Sequence, residues 1–202
     1  SQPAAAAVLS LARICARSDT GRERLDDVDL AVAGGEVVGV AGVAGNGQNL
    51  LAAIATGNAR PVTGRVMVGG RDLAGAGVRA FLEAGVRFVP EDRDGLAVAR
   101  DLSVTRNALL RRYRERGPGG GRLLLSGRCM RDHARRVADL CGSRVPSLDL
   151  PAASLSGGNL QKLVLARETE PFAYRPGGTL TARPPALLVV VQPTQGLDVA
   201  AT

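Results

Sequence analysis

The segment between residues 35 and 57 constrains the fold of this chain more than any other. It begins with the apolar run GEVVGVAG, continues through the closely spaced Gly42, Gly45 and Gly47, and ends in a stretch of helical character that stops at Gly57. A continuous apolar run of this length is typical of a strand that is buried on both faces. Strand, glycine loop and helix in this order predict a phosphate-binding loop in an α/β domain.

The loop keeps the glycines of the pattern G-x-x-x-x-G-K-[ST] but has lost its two reactive side chains. Gln48 and Asn49 stand where the pattern has lysine and a hydroxyl residue. Glycines let successive N–H groups point at a phosphate, and the following helix adds the positive end of its dipole. Exchanging a charge-assisted hydrogen bond for a neutral one costs on the order of 1 kcal/mol. We therefore expect weak nucleotide binding, without fast phosphoryl transfer, through Gly42, Gly45, Asn46, Gly47, Gln48 and Asn49.

Two further motifs lie later in the chain. LSGGN, at residues 155–159, stands directly before a stretch with helical character. Ser156 and the backbone amides of Gly157 and Gly158 then form an anion site at a helix N-terminus, with Asn159 beside them. The second motif is ALLVVVQPTQGLD, which predicts a buried strand followed by a loop.

These three motifs together strongly resemble those of ABC transporter ATPases. LSGGN is similar to the family's signature, and ALLVVVQ is similar to its Walker B strand. In that family the strand ends in Asp-Glu, where the Asp holds magnesium through water and the Glu polarises the attacking water. Here Val191 and Gln192 occupy those positions. The resemblance implies that Gln192 is the degenerate catalytic position and that the chain has no metal ligand of its own.

A closer resemblance concerns one branch of the family. GVAGVAGNGQ, FVPEDRDGL and QPTQGLD are similar to the second nucleotide-binding domain of simple-sugar and nucleoside importers. This implies an α/β, P-loop NTPase-like ABC cassette with a small antiparallel β subdomain and an inserted α-helical subdomain at 103–150. Residues 1–202 are then one nucleotide-binding domain, and we expect it to be C-terminally incomplete, since the family's switch histidine is absent.

The resemblance also implies cofactors and partners. ABC cassettes pair head to tail, so this chain is expected to complete the ATP site of another cassette, fused upstream or homologous, where Mg²⁺ is mainly bound. Membrane permease subunits are the other expected partners, which places the chain peripherally at the cytoplasmic face of the cell membrane. ATP hydrolysis coupled to transport belongs to the assembled transporter, and the isolated chain is expected to be weakly active or inactive. Glu91, Asp92 and Arg93 are candidates for sensing nucleotide and communicating with the permease.

Two alternatives belong to other functional classes. An independent ATPase needs another cation near Gly47, and Arg60 is the best candidate in the absence of a nearby lysine. A nucleotide-free structural or regulatory domain uses the fold for interaction alone. Nucleic acid is not an expected partner despite a net charge of +7, because 3 Phe, 2 Tyr and no Trp leave few platforms for base stacking.

Local patterns predict the remaining elements. Alternating apolar residues at 8–14 and 28–32 predict a small antiparallel sheet. Ser103 is expected to cap the first of two basic helices, the second of which covers 128–141. His133, the sole histidine, has no neighbouring metal-ligand set and is expected on the surface of that second helix.

Overall fold

The computed structural model describes residues 7–110, 127–142, 145, 147–170 and 184–192. The chain divides into two compact units, Ser1–Phe88 with Pro185–Val191 and Val89–Pro184 with Gln192–Thr202. The described elements, in chain order, are β1 (Ala7–Arg17), β2 (Arg24–Ala33), α1 (Gln48–Ala55), β3 (Thr63–Val68), β4 (Arg71–Asp72), α2 (Val78–Glu83), β5 (Val86–Val89), α3 (Arg93–Leu96), α4 (Val104–Ala108), α5 (Gly127–Cys141), α6 (Gly157–Thr169) and β6 (Leu187–Val190).

The first unit contains the predicted antiparallel sheet, in the strand order β2-β1-β3-β4. Strand β1 buries Leu9 and Leu11 and then Ile14 and Ala16. The alternation of buried and outward side chains therefore shifts by one residue between Leu11 and Ile14. The change coincides with an irregularity in the pairing with β2 between Leu11 and Ile14. Arg13 lies inside it with a φ of 51°, and this bulge keeps both apolar pairs on the core side.

Helix α1 ends where the sequence predicts. The N–H of Gly57 donates to Ile54 O at 3.2 Å, and that of Asn58 donates to Ala53 O at 2.8 Å. Gly57 has a φ of 74°, and a Cβ at this position would collide with the Phe81 ring. Glycine is therefore required for the turn and for the packing of the buried Phe81 against it.

The predicted buried strand at residues 35–42 is wrong. In the structure no strand forms there, and Val37 is 97% exposed and Val43, just beyond it, 74% exposed. A strand that is buried on both faces needs hydrogen-bonded neighbours in a covered sheet. Among the described strands, β5 and β6 form a sheet of two, and residues 35–42 pair with neither.

The second unit is built from helices that enclose a small apolar core of Val104, Ala108, Ala134, Val137, Cys141, Leu163 and Ala166. Ser103 caps α4 as predicted, since its hydroxyl accepts the N–H of Arg106 at 3.3 Å. Helix α5 confirms the predicted second helix. A separate helical subdomain at 103–150 stays a prediction, because residues 111–126 lie outside the described part.

His133 corrects the prediction of a surface histidine. Its side chain is 1% exposed, with Nδ1 3.0 Å from Glu170 Oε2 and Nε2 3.2 Å from Ala108 O. The reason lies in helical spacing: His133 falls on the same face of α5 as the buried Val137 and Cys141. That spacing was visible in the sequence, but the carboxylate that makes burial of the imidazole possible was not.

Within the described residues, no helix has both the length and the apolar character that crossing a membrane requires.

Candidate functional site

The glycine loop is shaped by two residues with positive φ. Gly45 has a φ of 88° and Gly47 a φ of 91°, a region that favours glycine. Gly47 is also buried against β2: a Cβ would lie 2.9 Å from Leu25 Cδ2 and 3.0 Å from Arg24 O. The start of β2 therefore supports the loop from behind, a contact that the sequence analysis missed.

Gln48 opens helix α1 and turns its side chain back into the loop. Its Nε2 donates to Val43 O at 3.2 Å. The same amide lies beside Gly42, where a Cβ would collide with Nε2. Val43 O also accepts the backbone N–H of Asn46 at 3.2 Å. Gly42, Gly45, Asn46 and Gly47 thus lie in the loop, and Gln48 and the exposed Asn49 form the first turn of α1 that follows it; their binding of nucleotide stays a prediction.

The loop fits a phosphate better than a magnesium ion. Positive-φ glycines leading into the N-terminus of α1 are the geometry of a backbone anion site. Magnesium in nucleotide sites is held by carboxylate and hydroxyl oxygens together with the phosphates. Val191 and Gln192 follow β6 without a carboxylate, and the described residues contain no group of three or more His, Cys, Asp or Glu that could hold a metal.

The LSGGN motif lies at the exposed N-terminus of α6. Ser156 is the N-cap, and its Oγ accepts the N–H of Asn159 at 3.4 Å. Ser156 and Gly157 are exposed, and a Cβ at Gly157 would meet open space. Ser156, Gly157, Gly158 and Asn159 therefore share the capped first turn of α6, which is exposed at Ser156 and Gly157.

Helix α6 is anchored at its other end by a buried arginine. Arg167 is 4% exposed and pairs with Glu168 at 2.8 Å. Its Nη1 donates to Ala97 O at 2.9 Å and to Asn107 O at 3.3 Å. The Asn107 side chain in turn binds the backbone of Ala99. This network ties the helix that carries the signature to the segment 97–107, and no short-range sequence signal indicates it.

Among the remaining candidates, Asp92 has a local structural role. Asp92 Oδ1 accepts the N–H of Gly95 at 2.9 Å, so Asp92 supports the short helix α3, which begins at Arg93. Glu91 is half-buried and directly precedes Asp92. Nucleotide sensing by these residues stays a prediction. Arg60 is exposed, and its role as a substitute cation also stays a prediction.

Comparison with known proteins decides the family. Residues 25–169, which contain the glycine loop and the LSGGN turn, match the family described as ABC transporter. The chain belongs to the ABC transporter family. The matching cassette begins in β2 and ends at the last residue of α6.

The curated relatives of this cassette include import proteins for sugars and nucleosides. It is 44% identical to the glucose import ATP-binding protein TsgD13 of Haloferax volcanii, over 96% of this chain and 33% of that protein. It is 33% identical to the guanosine import ATP-binding protein NupO of Bacillus subtilis, over 97% of this chain and 36% of that protein. The chain thus spans about a third of the length of these relatives.

Solved structures show the same cassette fold. A dimeric ATP-binding cassette in a post-hydrolysis state, bound to ADP and Pi, superposes with a TM-score of 0.73 at 20% identity. The superposition covers 96% of this chain and 77% of that one. A nucleotide-free cassette from an ABC transporter gives a TM-score of 0.62 at 20% identity, and that superposition covers 80% of this chain and 64% of the other. The predicted α/β ABC cassette fold is confirmed.

Proposed function

We propose that this chain is an ATP-binding cassette of an importer for simple sugars or nucleosides, whose intact LSGGN turn completes the ATP site of a partner cassette. Its own phosphate loop holds nucleotide weakly and without turnover. The observation that carries the proposal is the contrast between the two motifs. Ser156 and Gly157 are exposed at a capped helix N-terminus, whereas the loop presents Gln48 in place of lysine.

The chemistry of the loop supports a static site. A neutral amide at Gln48 neither neutralises phosphate charge nor replaces the hydroxyl that binds magnesium, and Gln192 does not act as a general base. The chain therefore depends on a partner with an intact phosphate loop and catalytic glutamate for hydrolysis. Magnesium is expected mainly at that partner's site.

The solute class follows from the relatives. Proteins named for glucose, guanosine and ribose import match this chain over most of its length, at 44%, 33% and 38% identity. By analogy with these relatives, we propose that this chain lies at the cytoplasmic face of the membrane as a peripheral subunit and binds permease subunits there. The dimeric cassette that it superposes on supports a cassette partner.

The test measures the ATPase rate of a partner cassette with an intact phosphate loop while this chain is titrated into it. Ser156→Ala is expected to abolish most of the stimulation, because a direct contact to the γ-phosphate is lost. Ser103→Ala is the matched control, since Ser103 makes the same cap on α4 at 3.3 Å. Both changes cost about 1 kcal/mol of cap energy, so a loss common to both would show destabilisation and contradict the proposal.

The two alternatives predict different results in the same preparation. An independent ATPase turns over ATP without a partner, and Arg60→Ala stops it. A structural or regulatory domain binds no ATP, alone or with the partner cassette. The proposed cassette binds ATP weakly, with little dependence on magnesium, and shows no turnover by itself.

A further inference from the structure

Arg167 is buried near the C-terminal end of α6, the helix that begins with the LSGGN turn. Its side chain is 2% exposed, and that of its neighbour Glu168 is 0% exposed. Two nitrogens of Arg167 contact Glu168 Oε1, Nη2 at 2.8 Å and Nε at 3.0 Å. Nη1 donates to Ala97 O at 2.9 Å and to Asn107 O at 3.3 Å. One guanidinium therefore bonds α6 to two backbone carbonyls that lie 70 and 60 residues earlier in the chain.

The backbone that Arg167 contacts is itself held by buried hydrogen bonds. Asn107 is 1% exposed, and its side-chain oxygen accepts the N–H of Ala99 at 2.9 Å. The side-chain nitrogen of Asn107 donates to Ala99 O at 2.9 Å and to Leu102 O at 3.0 Å. Segment 97–107 therefore gives the guanidinium of Arg167 a fixed support.

The bonds of Arg167 have a direction that the packing of its apolar neighbours lacks. Leu160, Leu163 and Val164 are buried on the same helix, and apolar burial does not favour one orientation. A buried ion pair is weak evidence for stability, because apolar residues of similar volume often replace it without loss. Its bonds do fix one arrangement of the elements that they join. The guanidinium therefore sets the tilt and rotation of α6.

The tilt of α6 determines where the LSGGN turn lies. Gly157 and Arg167 are about 15 Å apart along the helix axis, at about 1.5 Å per residue, so a tilt of about 4° moves the turn by about 1 Å. A misplacement of that size lowers a reaction rate on the order of 100-fold. We infer that Arg167 is a positioning residue, which sets where Ser156 meets the γ-phosphate in the partner cassette's ATP site. The inference rests on the proposed function, because it takes the LSGGN turn as part of that site.

The test titrates variants of this chain into a partner cassette with an intact phosphate loop and measures the ATPase rate. Arg167→Lys keeps a positive charge beside Glu168 but loses the planar fork of donors that reaches both carbonyls. The maximal rate is expected to fall about tenfold or more. The chain concentration that gives half of that rate is expected to change less than about twofold, because docking is retained. Arg106→Lys is the matched control, since Arg106 is exposed on α4 and is expected to change neither quantity.

A second variant separates positioning from loss of folding. The double change Arg167→Met with Glu168→Gln removes both charges of the pair, so the chain is expected to fold. It also removes the donor to Ala97 O and Asn107 O, and the same fall in the maximal rate is expected. A purely structural role predicts another result, because fewer folded molecules raise the concentration needed for half-maximal stimulation but reach the same maximal rate. That result overturns the inference.

The position of the turn is also measured in the isolated chain. The backbone amide signals of Gly157 and Gly158 in ¹⁵N spectra are expected to shift in both Arg167 variants and to stay in place in Arg106→Lys. Unchanged signals, or an unchanged maximal rate in both variants, overturn the inference. Failure of the proposed function gives a different pattern, in which Ser156→Ala leaves the stimulation unchanged while these amide signals still report whether Arg167 sets the turn.

Discussion

Single residues decide the shape of the phosphate loop. Gly47 combines a φ of 91° with close contacts to β2, whereas Gly45 has a similar φ of 88° and open space around it. Gly45 is thus required only for its left-handed backbone, whereas Gly47 is also required because a side chain would not fit against β2. The retained glycines of the motif are explained by backbone geometry, which does not depend on the missing lysine.

Gly47→Ala is expected to lower the free energy of unfolding by about 3 kcal/mol, and Gly45→Ala by about 1 kcal/mol. Both alanines adopt a left-handed backbone, but only the one at position 47 meets Leu25 Cδ2 at 2.9 Å and Arg24 O at 3.0 Å. Urea unfolding followed by circular dichroism measures the difference. Equal losses would show that β2 yields to the added methyl group.

Asp26 gives a prediction about pH. The hydrogen bond from the Arg24 side chain lowers the pKa of Asp26 from its ordinary value. The pair then stabilises the fold above the ordinary pKa of about 4, and this contribution is lost as the pH falls through the lowered pKa of the folded state. Both side chains are exposed, so the effect on stability is small. A carboxyl ¹³C titration is expected to show a low midpoint that Arg24→Met raises.

At the scale of elements, the buried carboxylate of Glu170 fastens α5 to the end of α6. Glu170 accepts from Arg136 Nε at 3.0 Å and lies 3.0 Å from His133 Nδ1. The His133 ring has acceptor oxygens beside both nitrogens, the carboxylate of Glu170 and the carbonyl of Ala108. Removing this carboxylate is costly because the buried imidazole of His133 then loses a polar partner that water cannot replace.

Glu170→Ala is expected to destabilise the chain by about 2 kcal/mol, since it leaves the buried His133 ring and the exposed Arg136 without the carboxylate. Asp132→Ala is the control, because it removes an exposed carboxylate of α5 that lies 3.9 Å from Arg135 Nη1. It is expected to change the free energy of unfolding by no more than about 0.5 kcal/mol. Thermal unfolding of both variants measures the contrast. Similar losses of stability in both variants would contradict a structural role for the Glu170 carboxylate.

At the scale of the whole molecule, the described surface contains one concentrated run of apolar side chains. Val37, Val38, Val40 and Val43 are 97%, 38%, 54% and 74% exposed. Exposed apolar runs of this kind mark surfaces that associate, whereas single exposed apolar residues are ordinary. The net charge of +7 opposes association at low ionic strength.

The double change Val37→Ser with Val43→Ser is expected to raise the concentration at which the chain self-associates by about fivefold, the equivalent of about 1 kcal/mol of lost apolar contact. Val62→Ser is the matched control, because Val62 is 75% exposed but lies outside this run. Static light scattering at moderate salt follows the association. The same shift in the control would mean that general polarity, rather than this run, governs it.

The sequence determined the features that depend on a few neighbouring residues. The glycine loop before α1, the stop at Gly57 and the serine cap of α4 were all predicted, because each is made by hydrogen bonds over three to five residues. The cassette fold was predicted from motifs whose spacing is itself part of the sequence. Ligand roles for those motifs stay proposals that the assays above test.

Only the tertiary structure decided which side chains these elements bury and bond. Glu170 reaches Arg136 across 34 residues, and Arg167 reaches Ala97 O across 70. The predicted strand at residues 35–42 depended on neighbouring strands, and Gln48 turned toward Val43 O rather than outward. Local propensity fixes where a helix begins or ends, but burial and side-chain pairing depend on partners that are distant in sequence, and these are set by packing alone.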